Sequence, residues 1–205
     1  MKTLLLFLST LTCLPAQNRE AEMPPRDPVP AAILKEAQAA TDALIAQVLK
    51  GNNVVAIEKM HPAWKRKEAL KVGGIDNLLA EFALAIKKQQ ADGVKVLMME
   101  TGPPKTAYEV DFGNLPDGSQ GYKQFMVFVP TRKIVSAFDR GVTPPKAHKL
   151  LLEGFMVALR NKTDGDWTFI DGASLRAVDL RELFPFLPRS DEALRLPKNG
   201  GRILP

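Results

Sequence analysis

The chain has 205 residues, of which 45% are hydrophobic and 25% are charged, and its 28 lysines and arginines outnumber its 23 aspartates and glutamates by five. This length and composition fit one globular domain with its own core. The positive charge is spread along the chain, and its densest run, 64–67, has the pattern of a solvated helix face. A nucleic-acid surface needs a basic stripe interleaved with stacking aromatic residues, so no nucleic-acid partner is expected.

The first sixteen residues have the pattern of a secretory signal peptide. Lys2 gives a positive start, residues 4–8 form a short apolar core, and Ala16 is a small residue at a suitable cleavage position. The apolar run is shorter than the roughly 20 residues that span a bilayer. We therefore predict that 1–16 is removed and that the protein is exported, to the periplasm or outside the cell, with no membrane span after cleavage.

Cys13 is the single cysteine of the chain and lies inside this segment. The residues before it, TLT at 10–12, fit a lipoprotein signal poorly, so lipid anchoring is the minor alternative. Loss of Cys13 with the signal peptide leaves a mature chain without a thiol. That excludes disulfides, cysteine nucleophiles and cysteine metal ligands.

Four prolines and five charged residues lie in 17–30, with almost no apolar side chain to bury. This composition is typical of a flexible linker. The sequence therefore predicts a single domain over 31–188, preceded by this linker and followed by a polar C-terminal tail over 189–205.

Helical periodicity predicts three helices after the linker. Apolar residues recur three and four positions apart over 31–50, and a short helix over 54–60 stops before His61, because a following proline disfavours helical geometry. A third helix runs between the glycines at 73–74 and Gly93. We expect it to bury one stripe of apolar side chains: Ile75, Leu78, Leu79, Phe82 and Ile86.

Alternating patterns then replace the helical ones. Strands are predicted over 95–101, 108–112, 122–129, 149–161 and 166–171, the last two joined by a hairpin turn at Asp-Gly. In 108–112 acidic and apolar residues alternate, so Glu109 and Asp111 are predicted to face water. Helices followed by four or five mostly antiparallel strands indicate an α+β domain with its helices on one face of a curved sheet.

This order of elements resembles the superfamily of nuclear transport factor two, ketosteroid isomerase and scytalone dehydratase, also called SnoaL-like, in an exported bacterial branch. The resemblance implies a cystatin-like cone and a homodimer paired through the outer sheet face. It assigns no catalytic residue, because members of this superfamily differ in function. The motifs that carry it are His61-Pro62, Gly73-Gly74, Gly93, Val129-Pro130, DGDWTFIDG at 164–172, Leu183-Phe184-Pro185 and Leu196-Pro197.

Two positions suit proton transfer in a pocket. His61 titrates near neutral pH, and Trp64 is placed to wall a pocket beside it; alternatively, His61 satisfies a turn and Trp64 fills the core. Asp171 shares a strand face with Trp167 and Phe169, so burial would make it a general base. The alternative for Asp171 is a turn formed with the glycine that follows it.

Tyr108 and Tyr122 complete the candidate pocket as hydrogen-bond donors to an oxyanion, although core packing also explains both. His61 and His148 lie far apart in the sequence and form no HxH or HExxH motif. We therefore predict no metal site and no cofactor.

Three functional interpretations follow. The leading one is an exported domain that binds a small molecule or a partner protein without catalysis. The first alternative is an enzyme of the isomerase or dehydratase type, with His61, Asp171 and a tyrosine around one apolar pocket. The second alternative is a structural accessory domain of the cell envelope with a filled interior.

Overall fold

The structure is a computed structural model that describes residues 26–139, 146–163 and 165–204. The predicted signal peptide and the linker up to residue 25 lie outside the described residues, as does Asp164 of the predicted hairpin turn. Within the described ranges, no helix is long and apolar enough to cross a membrane.

Helices come first and strands follow, with two short helices near the C-terminus. The helices are α1 (Ala31–Leu49), α2 (Val54–Glu58), α3 (Pro62–Lys71), α4 (Ile75–Ala91), α5 (Ala177–Leu183) and α6 (Asp191–Leu194). The strands are β1 (Lys95–Thr101), β2 (Thr106–Asn114), β3 (Gln120–Asp139), β4 (Lys146–Asn161), β5 (Thr168–Asp171) and β6 (Gly200–Leu204).

The strands form one open, six-stranded antiparallel sheet in the order β1-β3-β4-β5. β2 also pairs with β3, and β6 also pairs with β4. The long strands β3 and β4 pair from Gln124 opposite Asn161 to Asp139 opposite Lys146, so they form the middle of the sheet. The α+β class predicted from the sequence is confirmed, and the described residues contain six strands where four or five were expected.

Strand β3 is buried on both of its faces. Phe125, Val127 and Val129 pack with α1, whereas Met126 and Phe128 pack with side chains of α3, α5 and α6. Successive side chains of a strand point to opposite faces, so a continuous apolar run needs cover on both sides. The helices accordingly lie on both faces of the sheet, not on one face as the sequence analysis expected.

The His61-Pro62 turn is also the start of a helix, α3, which was indicated only by the helix-face pattern of 64–67 and is not among the three helices that periodicity predicted. Pro62 occupies the first turn of α3, where its fixed φ and missing N–H cost nothing. The basic run 64–67 lies on this helix. Trp64 is buried in the core, and the ammonium groups of Lys67 and Lys71 lie 5.6 and 5.4 Å from the centre of its ring.

The C-terminal segment predicted to be a polar tail packs on the domain. Leu194 of α6 is fully buried in the same core cluster as Trp64, and β6 extends the sheet along β4. At the other end, the last part of the linker is also held: Arg26 donates hydrogen bonds to the carbonyl oxygens of Glu109 and Phe186. The packed domain therefore extends beyond 31–188 at both ends.

The apolar stripe predicted on the third helix is present on α4 but is not buried. No residue of α4 is buried: within the stripe Leu78, Phe82 and Ile86 are half-buried, and Ile75 and Leu79 are 42% and 40% exposed. Leu84, outside the stripe, is 66% exposed. Periodicity shows that a helix has an apolar face; it does not show that another element covers that face. The prediction that Ile75, Leu78, Leu79, Phe82 and Ile86 form a buried stripe is therefore wrong for the described part of the chain.

Two leucines test this difference between helices. Leu180→Ala should lower the free energy of unfolding by about 2–5 kcal/mol, since Leu180 of α5 is fully buried and its removal leaves a cavity. Leu84→Ala on α4 should change it by no more than about 0.5 kcal/mol, as at an ordinary surface position. Urea unfolding measures both. Equal losses at the two sites would show that α4 is covered in solution.

Candidate functional site

A cavity of about 500 Å³ lies beside His61, where the start of α3 and the end of α5 meet one end of the sheet. Its wall is mixed, with apolar side chains from the helices and polar ones from the strands. The residues that line it are His61, Pro62, Ala63, Arg66, Asp111, Gln124, Leu159, Arg160, Asn161, Gly165, Asp166, Thr168, Leu183 and Phe184.

Backbone pairing with β5 fixes the position of His61. The N–H of Phe169 donates to the carbonyl oxygen of Lys59 at 2.8 Å, and the N–H of His61 donates to that of Phe169 at 2.9 Å. Met60 thus forms a parallel bridge with Phe169, as a short extra piece of strand would. The imidazole lies 5.7 Å from the ring of Phe184, measured between ring centres, and His61 is 7% exposed.

His61 is neutral at physiological pH. Burial lowers the pKa of its imidazole from 6.5 to about 4, and the positive charge of Arg66 acts in the same direction. Asp111 and Gln124 raise this pKa, but by less. A neutral imidazole carries one donor nitrogen and one acceptor nitrogen, so His61 can take part in hydrogen bonds of both kinds.

Two buried polar atoms on this wall have no hydrogen-bond partner among the described residues: Nδ1 of His61 and Oε1 of Gln124. The side chain of Gln124 is close enough to His61 to raise its pKa as a hydrogen-bond partner, but neither Nδ1 nor Oε1 makes a hydrogen bond of good geometry with a described residue. Nε2 of Gln124 donates to Oδ1 of Asn161 at 3.0 Å. Buried polar groups in folded proteins almost always have a partner, such as another side chain, a water molecule or a ligand, so this pair distinguishes the wall of the His61 cavity.

The Nε of Arg160 is a third buried polar atom without a hydrogen-bond partner among the described residues, but the Arg160 guanidinium lies on the other face of the sheet. There its Nη1 donates to Glu36 of α1 at 2.6 Å, and the group lies 5.0 Å from the centre of the Trp167 ring. We therefore do not count Arg160 Nε among the groups that face the cavity.

Asp111 reaches the cavity through an unusual backbone conformation. Its φ of +61° lies in the left-handed region, and the β2–β3 ladder pairs Val110 and Phe112 but not Asp111. This conformation breaks the alternation of β2 and places Asp111 on the cavity wall with Gln124. Such a conformation costs about 1–3 kcal/mol at a residue other than glycine, and outliers of this kind cluster at functional sites.

Glu109, two residues earlier, corrects the expectation that both acids of this strand face water. Its side chain is 6% exposed and accepts a bond from Lys162 Nζ at 2.5 Å. It lies opposite Phe125 in the ladder, on the face that α1 covers. The prediction failed because alternation was read as one apolar and one wet face, whereas both faces of the sheet are covered here.

The predicted aromatic candidates have structural contacts and do not line this cavity. Trp64 is part of the core cluster. The hydroxyl of Tyr108 donates to the carbonyl oxygens of Ala193 and Leu194 at 2.9 and 2.8 Å, which ties α6 to β2. Tyr122 is buried, with the ring of Phe112 at 5.2 Å and the guanidinium of Arg26 over its own ring at 5.1 Å.

Asp171 ends strand β5 and forms a turn. Its Oδ1 accepts a hydrogen bond from the N–H of Ala173 at 3.0 Å, and its side chain is exposed. The next residue has no room for a side chain, since a Cβ on Gly172 would lie 2.5 Å from the carbonyl oxygen of Phe155. This is the geometry of the turn alternative, so of the five sequence candidates only His61 lies at the cavity.

A second cavity of about 210 Å³ lies on the opposite face, between α1, α2 and β5. Leu44, Val55 and Trp167 give it an apolar wall, and an ion pair of 2.6 Å between Lys59 and Asp166 lies at its edge. Among the described residues that line this second cavity, none carries a buried polar atom without a hydrogen-bond partner. Throughout the described ranges, no group of three or more histidine or acidic side chains could hold a metal ion.

Comparisons with protein-family models, with curated proteins and with solved structures find no match to this chain. The resemblance to the nuclear transport factor two-like superfamily therefore stays a prediction. The assignment of function rests on the geometry of the His61 cavity.

The low pKa of His61 predicts a specific pH dependence of stability. Between pH 6.5 and about 4 the unfolded chain binds a proton at this residue that the folded chain does not. The free energy of unfolding should have its full value above pH 6.5 and should fall by about 3 kcal/mol as the pH drops to 4. Urea unfolding of the wild type and of His61→Gln isolates this effect, since the carboxylates titrate in both proteins. Parallel pH profiles of the two proteins would contradict it.

Proposed function

We propose that this chain is a small-molecule-binding domain whose ligand occupies the His61 cavity. The observation that carries the proposal is the pair of buried, unpartnered atoms, His61 Nδ1 and Gln124 Oε1, on one cavity wall. Leaving a buried polar group unpaired costs about 1–3 kcal/mol, so a ligand that pairs with both atoms recovers this cost. The signal-peptide pattern adds that this ligand is met outside the cytoplasm.

The size and lining of the cavity support binding of an organic ligand. Its volume of about 500 Å³ lies within the range of about 300–1,000 Å³ that is common for ligand sites. Leu183 and Phe184 offer apolar contact, and a few polar groups are available to orient the ligand. This combination is typical of binding pockets.

The other two interpretations receive less support. The isomerase or dehydratase hypothesis needs His61, Asp171 and a tyrosine around one cavity, but Asp171 forms a turn and Tyr108 is bonded to α6. The accessory-domain hypothesis expects a filled interior, whereas a cavity of this size lies beside His61. We therefore retain ligand binding as the proposed function.

Filling each cavity with a phenylalanine tests the proposal. We expect a library of small polar fragments to shift the amide NMR signals of His61 and Gln124 in the wild-type protein. Ala63→Phe, on the wall of the His61 cavity, should abolish these shifts, because the new ring occupies the space that the ligand needs. Ala43→Phe, on the wall of the second cavity, is the matched control and should leave them unchanged.

Circular dichroism of both variants separates a filled cavity from a failure to fold. If no fragment shifts the His61 and Gln124 signals, the proposed function is wrong. It is equally wrong if folded Ala63→Phe protein binds the same fragments as the wild type.

A further inference from the structure

The charges on the wall of the His61 cavity fall into two kinds. Asp166 forms an ion pair of 2.6 Å with Lys59, and the Arg160 guanidinium, on the other face of the sheet, forms one of 2.6 Å with Glu36. Arg66 and Asp111 form no ion pair with any described residue, including each other. Among the described residues that line it, the cavity therefore presents one unpaired cation and one unpaired anion.

These two charges act on the same imidazole. Arg66 and Asp111 influence His61 electrostatically with opposite sign, so both lie near it. Arg66 belongs to α3, five positions after His61, while Asp111 belongs to β2. The two opposite charges near His61 therefore come from two different elements, a helix and a strand.

The sheet side of the cavity collects hydrogen-bond acceptors. Val110 pairs with Gln124 in the β2–β3 ladder, so Asp111 and Gln124 are neighbours. The Asp111 carboxylate accepts only, and Oε1 of Gln124 is an acceptor without a donor. Such a group of acceptors suits the several N–H donors of a protonated amine.

The helix side offers the opposite chemistry. The guanidinium of Arg66 is a fork of donors that matches a carboxylate, and it is exposed at the cavity. Leu183 and Phe184 add apolar contact on the same cavity wall.

On the basis of the proposed function, we propose that the ligand is a small zwitterion with an apolar side group, such as a free amino acid. Its ammonium group lies at Asp111 and Gln124, and its carboxylate lies at Arg66. A ligand with only a negative charge leaves Asp111 unmatched, and a ligand with only a positive charge leaves Arg66 unmatched. Only a ligand that carries both charges satisfies both sides.

Leucine and three of its derivatives test this charge pattern, because all four compounds have the same side chain. The derivatives are N-acetylleucine, leucinamide and N-acetylleucinamide. Titration calorimetry with the purified chain should show leucine binding at least about tenfold more tightly than either singly charged derivative, a factor that corresponds to one lost charged contact. N-Acetylleucinamide, which lacks both charges, should bind most weakly.

Two conservative variants assign each charge to its residue. Arg66→Gln should remove the preference for leucine over leucinamide, and Asp111→Asn should remove the preference for leucine over N-acetylleucine. Asparagine tolerates the left-handed backbone of Asp111, so this variant keeps the strand conformation. Lys65→Gln is the control, because it makes the same charge change on α3 at a residue that does not line the cavity.

The outcomes separate this inference from the proposed function. If fragments bind at His61 but leucine binds no better than its singly charged derivatives, or does not bind, the ligand is not a zwitterion and the cavity remains a binding site. If neither fragments nor any leucine derivative binds, both proposals fall. Equal effects of Lys65→Gln and Arg66→Gln would also overturn the role given to Arg66.

Discussion

The fold depends on the burial of strand β3 on both faces. Its run FMVFV at 125–129 contributes three side chains to the α1 side and two to the α3–α5–α6 side. At about 1.5–3 kcal/mol for each fully buried large apolar side chain, this run is among the largest local contributions to stability. The helices are held to the sheet because this run needs cover on both sides. Its polar neighbour Gln124 lines the His61 cavity, so this run and the candidate site lie next to each other along β3.

Short strand β5 connects this core to the candidate site. Phe169 packs in the α1 cluster and Ile170 in the opposite one, so side-chain burial fixes β5 from both faces. The backbone of Phe169 in turn bonds to Lys59 and His61. The position of His61 is therefore set by main-chain bonds to a strand that cannot move without opening both clusters. That rigidity is what a preformed binding site requires.

The sequence predicted the class of the fold because periodicity reports which side chains share a face. It did not predict that α4 stays exposed, and it left open whether the C-terminal segment, described as far as residue 204, packs on the domain, because periodicity does not identify the element that covers a face. The double burial of β3 was visible in principle, since an unbroken apolar run differs from an alternating one. The position of Asp111 on the cavity wall was not visible in this way, because a single sequence does not show that an aspartate adopts a left-handed backbone. His61 was found because its titration range stands out, and Asp171-Gly172 allowed the turn that the structure shows.

The electrostatics of His61 favour recognition over proton transfer. A general base works best when its pKa lies near the working pH, and the pKa of this imidazole, about 4, is well below neutrality. The same shift keeps the ring uncharged near Arg66 and Asp111, where a positive imidazole would repel the guanidinium. In the site that we propose, a positive ring would also compete with a ligand amine for the carboxylate, whereas a neutral ring can add an acceptor to those of Asp111 and Gln124. On that proposal, the burial that weakens His61 as a base suits it to the binding of a cationic group.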